Sequence, residues 1–155
     1  MIPMNILPAL LSFALLLQSI ETVFAEPVAA WRTGFSREDI TPSSSMWMSG
    51  YAARDHASEG TRTHLWAKAL ALEDAKGKRA LLVTLDLVGV SRDVTDPVRH
   101  EIAVNHQLGL KDVLINCSHT HTGPVVGENL RTMYFLEENE SQKLINYTRH
   151  LKKRL

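Results

Sequence analysis

The chain contains a single cysteine, Cys117, among its 155 residues. One cysteine cannot form an intramolecular disulfide, and a Cys-x-x-Cys metal or redox motif is excluded for the same reason. Any metal site in this sequence therefore has to use His, Asp, Glu or Tyr side chains. Because Cys117 ends an apolar run, we expect it to be a packed strand residue rather than a reactive thiol.

The sequence also lacks an excess of charge of either sign. Its 17 Lys and Arg residues balance 17 Asp and Glu residues, and its longest run of like charge is Lys152–Arg154. Proteins that bind nucleic acids or anionic membranes do so through clustered positive charge. The composition therefore predicts no nucleic-acid partner and leaves room only for a peripheral membrane contact. With 45% hydrophobic residues, the chain is typical of a globular protein.

The first 25 residues lack Lys and Arg, and their apolar run from Ile6 to Leu17 is too short to span a membrane comfortably. Small residues at Val23 and Ala25 occupy the positions that a signal peptidase reads. We therefore predict a signal peptide over residues 1–25, cleaved after Ala25, and a secreted or periplasmic protein. An uncleaved anchor or a buried helix is the alternative. Residues 26–155 suffice for one small domain.

Hydrophobic periodicity in the middle of the chain predicts an α/β fold. Two strands, Leu65–Glu73 and Arg79–Val88, flank a turn and form an antiparallel hairpin. An amphipathic helix over Asp93–Gln107 and a second buried strand over Asp112–Cys117 follow. Because a strand, a helix and a strand in succession favour a parallel right-handed crossover, we predict a mixed β-sheet with a hairpin, a βαβ crossover and helices layered outside.

The flanking segments are less regular. Trp31–Ile40 predicts a short strand, and Met46–Thr63 predicts a long loop, because it has no sustained period of two or 3.6. Long ordered loops often carry function. From Glu137 to Leu155 the pattern predicts a final amphipathic helix without a glycine cap or a following strand. We therefore expect the fold to be an incomplete fragment of a larger domain.

Two histidines, His119 and His121, follow directly on the second buried strand. A period of two along that strand would point both imidazoles to the same side, where they could bind one divalent metal such as Zn²⁺. Ligands in α/β sheets bind beyond the carboxyl ends of strands. A hydrogen-bonded pair at a strand end is the alternative interpretation. Polar residues at the end of an apolar strand are costly to bury, which favours a site.

Two further side chains are candidates for the same site. The crossover is expected to bring Asp86 near the histidines, where its carboxylate could ligate the metal or orient an imidazole. Capping of a neighbouring backbone N–H is an equally compatible role for Asp86. Arg54 in the long loop is a candidate substrate-binding residue, and Glu59 and His64 belong to the same loop or its end. For these three residues a surface salt bridge competes evenly with a substrate contact.

Several motifs, taken together, resemble the opening of the catalytic domain of the neutral/alkaline non-lysosomal ceramidases. In order and spacing the matching segments are Gly34–Pro42, Met48–Ala52, Leu65–Asp74, Asp86–Leu87 and Asn116–Pro124. The resemblance covers nearly all of the chain after the predicted signal peptide, and the His-Thr-His-Thr-Gly-Pro element is its most specific part. It implies a secreted or membrane-associated Zn²⁺-dependent amidase that hydrolyses ceramide to sphingosine and a fatty acid.

By this resemblance His119 is a zinc ligand and His121 is a catalytic residue close to the metal and the substrate. The family's other ligands are a His, a Glu and a Tyr from segments downstream of the matched region, and Tyr134 and Tyr147 do not match that Tyr. We therefore expect residues 26–155 to be the N-terminal portion of a ceramidase-like catalytic domain, inactive by itself. The alternative is a non-catalytic module that binds a lipid or a partner, such as a separately encoded remainder of the domain.

Overall fold

The computed structural model describes residues 30–155, in which four strands form one mixed sheet. The strands are β1 (Arg32–Asp39), β2 (Trp66–Glu73), β3 (Arg79–Leu85) and β4 (Val113–Cys117), and they lie in this order across the sheet. The first two pairings are antiparallel, and β3 pairs with β4 in parallel. The predicted mixed α/β sheet is therefore confirmed. The predicted signal peptide lies outside the described residues.

The turn between β2 and β3 is built around one carboxylate. Asp74 accepts hydrogen bonds from the backbone N–H groups of Lys76 and Lys78, at 2.9 and 2.8 Å. Gly77 supplies the left-handed backbone conformation, with φ of +76°, that other residues adopt only at a cost. This turn chemistry explains why the hairpin predicted from the sequence forms in the register observed, with Glu73 opposite Arg79.

Two helices complete the fold: α1 (Arg92–His106) and α2 (Glu138–Arg154). Helix α1 connects β3 to β4 and so makes the predicted parallel crossover. Between these elements, the segments 40–65 and 118–137 are largely irregular, as predicted for the first of them. None of the helices described in residues 30–155 is both long and apolar enough to cross a lipid bilayer.

The main hydrophobic core lies between one face of the sheet and the two helices. Strand residues that alternate along β3, including Val83 and Leu85, pack against Val94 of α1 and Leu151 of α2. Leu85 is 0% exposed. Alternation with a period of two in the strands and of 3.6 in the helices produces these matching apolar faces.

The opposite face of the sheet carries a row of large apolar residues. The strand register aligns Phe35 with Leu70, Leu70 with Leu82, and Leu82 with Leu114. Phe35 is 92% exposed and Leu114 is 61% exposed. The helices described in residues 30–155 therefore cover one face of the sheet and leave this row open.

The asymmetry of the two faces predicts different responses to truncation. We expect Leu85→Ala to lower the free energy of unfolding by about 2–5 kcal/mol, because it opens a cavity in the core. The matched control, Leu114→Ala on the exposed face, is expected to change that energy by less than about 0.5 kcal/mol. Urea unfolding followed by circular dichroism measures both values. Equal losses for the two variants would contradict the assignment of the core to the helix-covered face.

Candidate functional site

The two histidines of the predicted pair converge beyond the carboxyl end of β4. Strand β4 ends at Cys117, and the Ser118 N–H still donates to the Leu85 carbonyl at 2.9 Å. The backbone then turns left-handed at His119, with φ of 60°. The Nε2 atoms of His119 and His121 lie 3.5 Å apart. The predicted convergence is observed, but its reason differs from the prediction: a left-handed residue and a turn direct the rings, not strand alternation.

The imidazole of His119 is oriented by a backbone carbonyl. Its Nδ1 lies 2.8 Å from the carbonyl oxygen of Val88. Because a carbonyl oxygen only accepts hydrogen bonds, Nδ1 carries the proton and donates it. In the neutral ring Nε2 then holds the free lone pair, and the side chain of His119 is exposed. A histidine held in this way is prepared to ligate a metal through Nε2.

The imidazole of His121 is held differently. Its Nδ1 atom is buried and has no hydrogen-bond partner. Gly50 lies against this side of the ring, so closely that a Cβ at position 50 would collide with it. The ring of Tyr51 packs on His121 with centroids 4.4 Å apart. Because orphaned buried N–H groups are rarer than unpaired acceptors, the geometry favours an unprotonated Nδ1 and an N–H at Nε2.

This arrangement fits part of a metal's ligand set. Two imidazoles on one tetrahedral Zn²⁺, each at about 2.0–2.1 Å, would place their nitrogen atoms about 3.3 Å apart, close to the 3.5 Å observed. Binding through both rings would leave His121 with a buried, unpaired Nδ1–H, so the lone pair of His119 is the better metal ligand. Within residues 30–155, no group of three or more His, Cys, Asp or Glu side chains could hold a metal.

The predicted long loop pairs with the chain that follows the histidines. The N–H of Ser49 donates to the Gly123 carbonyl at 2.9 Å, and the N–H of Val125 donates to the Trp47 carbonyl at 3.0 Å. Met48 and Pro124 form an isolated antiparallel bridge between the same segments. The loop is therefore an ordered wall of the site. The sequence predicted the loop from its lack of periodicity, and that lack gave no information about its pairing partner.

Arg54 lies in this wall, and its two shortest hydrogen bonds are to backbone carbonyls. Its guanidinium donates to the Gly50 carbonyl from Nε at 3.0 Å and to the His121 carbonyl from an Nη atom at 2.7 Å. Among the described residues Arg54 forms no salt bridge, and its substrate-binding role stays a prediction. The ion pairs of the loop involve other residues: Glu59 with His56 at 3.7 Å, and His64 with Asp39 at 2.6 Å.

Asp86 takes the capping role rather than the supporting role at the histidines. Its carboxylate accepts the Trp66 N–H at 3.1 Å and the ammonium of Lys68 at 3.0 Å. Strand β3 has ended at Leu85, and the Asp86 side chain turns toward β2. The carbonyl of Val88, not a carboxylate, therefore orients His119, and sequence periodicity gives no signal for such a backbone partner.

Tyr134 is a supporting residue that the sequence analysis did not select. The side chain is 5% exposed, and its hydroxyl accepts the Gly50 N–H at 2.6 Å. The same hydroxyl lies 3.2 Å from the Ser49 hydroxyl. Tyr134 follows a short 3₁₀ turn in an irregular segment, so no periodic pattern marks it as part of the site.

Cys117 behaves as predicted. It is half-buried and packs against the main core. Burial raises the pKa of the Cys117 thiol to about 11, so the thiol is protonated at neutral pH. Since the thiolate is the nucleophilic form, the structure gives no support to a cysteine nucleophile at this strand end.

A cavity of about 720 Å³ borders the loop wall, close to the histidine pair. Its lining includes Met48 and Leu65 on one side and Thr122 and Pro124 on the other. A second cavity, of about 500 Å³, lies among β1, β2 and β3 and contains neither His119 nor His121 in its lining. The lining of the first cavity also lacks both histidines, but it includes Thr122, which directly follows His121 in the chain.

The family model described as neutral/alkaline non-lysosomal ceramidase, N-terminal, matches residues 31–140. The neutral ceramidase of Pseudomonas aeruginosa is 29% identical over 120 residues, which cover 72% of this chain and 18% of that protein. The chain thus spans about a fifth of the length of this relative.

Two solved structures share the fold. The crystal structure of neutral ceramidase from Pseudomonas aeruginosa aligns with a TM-score of 0.57 and 25% identity, covering 83% of this chain and 22% of that one. A ceramidase complexed with C2 aligns with a TM-score of 0.58 and 24% identity, over 77% and 20% of the two chains. Since the family match extends over more than half of the chain and includes the histidine pair, the chain belongs to the neutral/alkaline non-lysosomal ceramidase family.

Proposed function

We propose that this chain carries part of the active site of a zinc-dependent amidohydrolase that acts on ceramide or a related N-acyl lipid. The observation that carries the proposal is the convergence of the two Nε2 atoms, 3.5 Å apart, beyond the end of β4. One ring is set by its carbonyl partner to present a lone pair, and the other by its buried Nδ1 to present an N–H. Membership of the ceramidase family supports the choice of an amide as the scissile bond.

The roles of the two histidines follow from these orientations. His119 would hold the zinc ion through Nε2, with Val88 keeping the ring in place. When bound, the metal lowers the pKa of water and polarises the amide carbonyl. The Nε2–H of His121 faces the same point, where it donates a hydrogen bond to the oxygen of the scissile amide and stabilises the charge that develops there.

The site formed by residues 30–155 is incomplete for tight metal binding. Catalytic zinc ordinarily has three protein ligands, and the described residues bring together two imidazoles without a third ligand group. We propose that the further ligands come from polypeptide outside these residues. The 155-residue chain alone is then expected to be inactive.

The cavity beside the loop wall suits an N-acyl lipid. Met48, Leu65 and Pro124 contribute apolar surface to its lining, and alkyl chains bind to such surface through the hydrophobic effect. Thr122, which directly precedes Gly123 and follows His121, belongs to the same lining. We propose a lipid partner on this ground, reached through a peripheral membrane contact.

The two rings are expected to have different tautomers. In the full chain at neutral pH and without metal, we expect His119 to carry its proton on Nδ1 and His121 to carry its proton on Nε2. Long-range ¹H–¹⁵N correlation spectra of the imidazoles distinguish the two forms directly. A His121 protonated on Nδ1 would contradict the proposed donor role, and His119 protonated on Nε2 would contradict the proposed ligand role.

Zinc binding tests the role of His119. We expect Zn²⁺ added to the full chain to bind through His119, shifting its ring signals with weak affinity, because one imidazole ligand does not complete a catalytic site. His119→Ala is expected to abolish these shifts, whereas the exposed control His150→Ala leaves them unchanged. Zinc binding that leaves the His119 signals unchanged would refute the ligand role of His119. Zinc-dependent hydrolysis of a fluorescent ceramide by the chain alone would refute its expected inactivity.

Export is proposed from the pattern of residues 1–25, which lie outside the described residues. In a host with a secretory pathway, we expect the mature protein to begin at Glu26, because the small residue Ala25 fits the peptidase site. Intact-mass analysis of the exported protein identifies the N-terminus. Ala25→Arg is expected to block this cleavage, and a mature protein that retains residues 1–25 would contradict the proposal.

A further inference from the structure

We infer that Arg54 and Tyr134 are positioning residues that hold the imidazole of His121 through the loop segment Met48–Arg54. The purpose of that positioning rests on the proposed function, in which the His121 Nε2–H acts on the substrate. The contacts themselves are independent of zinc and of any reaction. We call the set formed by Arg54, Tyr134 and Gly50 the His121 clamp.

Arg54 joins the loop to the backbone of His121. Its Nε donates to the Gly50 carbonyl at 3.0 Å, and an Nη atom donates to the His121 carbonyl at 2.7 Å. The guanidinium also lies over the ring of Tyr51, 5.4 Å from its centroid. A planar fork of donors can hold two carbonyls at a fixed separation, whereas the single ammonium of a lysine on a flexible stem cannot. Arg54 therefore fixes the distance between position 50 and position 121.

Tyr134 holds the other side of the same loop. Its buried hydroxyl accepts the Gly50 N–H at 2.6 Å and lies 3.2 Å from the hydroxyl of Ser49, which is only 2% exposed. Loss of the Tyr134 hydroxyl would leave both groups buried without a partner, and such groups are costly. Gly50 is thus held at its N–H by Tyr134 and at its carbonyl by Arg54.

Gly50 transmits these contacts to the imidazole. Its φ of +78° suits a glycine, and the absence of a Cβ lets the backbone lie against Nδ1 of His121. Tyr51, also left-handed with φ of 57°, places its ring 4.4 Å from that of His121. The clamp therefore confines the ring from the side of Nδ1 and directs Nε2 toward His119. The close approach of Gly50 to the His121 ring accounts for the glycine in the motif Met48–Ala52.

The test uses the full chain with Tyr134→Phe and Arg54→Lys, each with a matched control. Tyr147→Phe removes a hydroxyl that donates to the Ile40 carbonyl, and Arg99→Lys alters a guanidinium that donates to the Val113 and Leu110 carbonyls. Imidazole ¹H–¹⁵N correlations report the tautomer and position of each histidine ring. Amide hydrogen exchange reports the hydrogen bond of Gly50.

We expect both clamp variants to lose the single tautomer of His121 and to give the mixed pattern of an exposed histidine such as His150. His119 should keep its proton on Nδ1, because the Val88 carbonyl still accepts it. Exchange of the Gly50 amide should become roughly five- to tenfold faster in Tyr134→Phe. The control variants should change neither observable. A general loss of stability would move all histidines, so an effect confined to His121 distinguishes positioning from a structural role.

An unchanged His121 ring in both clamp variants would overturn the inference, as would equal changes in the control variants. The experiments can refute the clamp and the proposed function independently of each other. If zinc does not shift the His119 signals while the variants still free the ring of His121, the clamp stands and the zinc assignment falls. If zinc binds at His119 but the variants leave His121 unchanged, the zinc assignment stands and the clamp is refuted.

Discussion

The parallel pairing of β3 with β4 is the constraint on which the site depends. It aligns Leu85 with Cys117, so that both strands end at the same edge of the sheet. The Ser118 N–H then closes the ladder on the Leu85 carbonyl, and Val88, just past the end of β3, receives the Nδ1–H of His119. Helix α1 makes this pairing possible by returning the chain to the same edge. A shift of this register would separate His119 from the Val88 carbonyl that orients its ring.

Backbone strain is concentrated around the histidine pair. Tyr51 and His119 are two of the described non-glycine residues with positive φ, and Gly50 is left-handed as well. Such conformations persist only where surrounding contacts hold them. At His119 the hydrogen bond to Val88 supplies that contact, and at Gly50 and Tyr51 the side chains of Arg54 and Tyr134 do so. The two imidazole rings converge because these contacts hold the left-handed backbone conformations in place.

The charged residues Asp86 and Arg54 form hydrogen bonds with backbone groups near the histidine pair. Asp86 pairs with Lys68 and accepts the backbone N–H of Trp66, and the guanidinium of Arg54 donates to two carbonyls. Hydrogen bonds from Thr41 lower the pKa of Asp39 to about 2, with a smaller contribution from His64. The groups that contact the two imidazole rings are backbone groups and the neutral ring of Tyr51, and Arg54 reaches the backbone carbonyl of His121 rather than its ring.

The sequence by itself determined the strands, the helices and their order, because an apolar period of two or 3.6 is a local property that burial in any fold would use. It also placed a His-x-His pair at a strand end and carried the ceramidase motifs, so the family followed from residues alone. Only the tertiary structure decided where the side chains of the site point. The φ of His119, the turn of Asp86 toward Lys68, and the hold of Arg54 and Tyr134 on Gly50 depend on contacts between segments distant in the chain. Such contacts leave no periodic trace, since each is a single hydrogen bond made in an irregular segment.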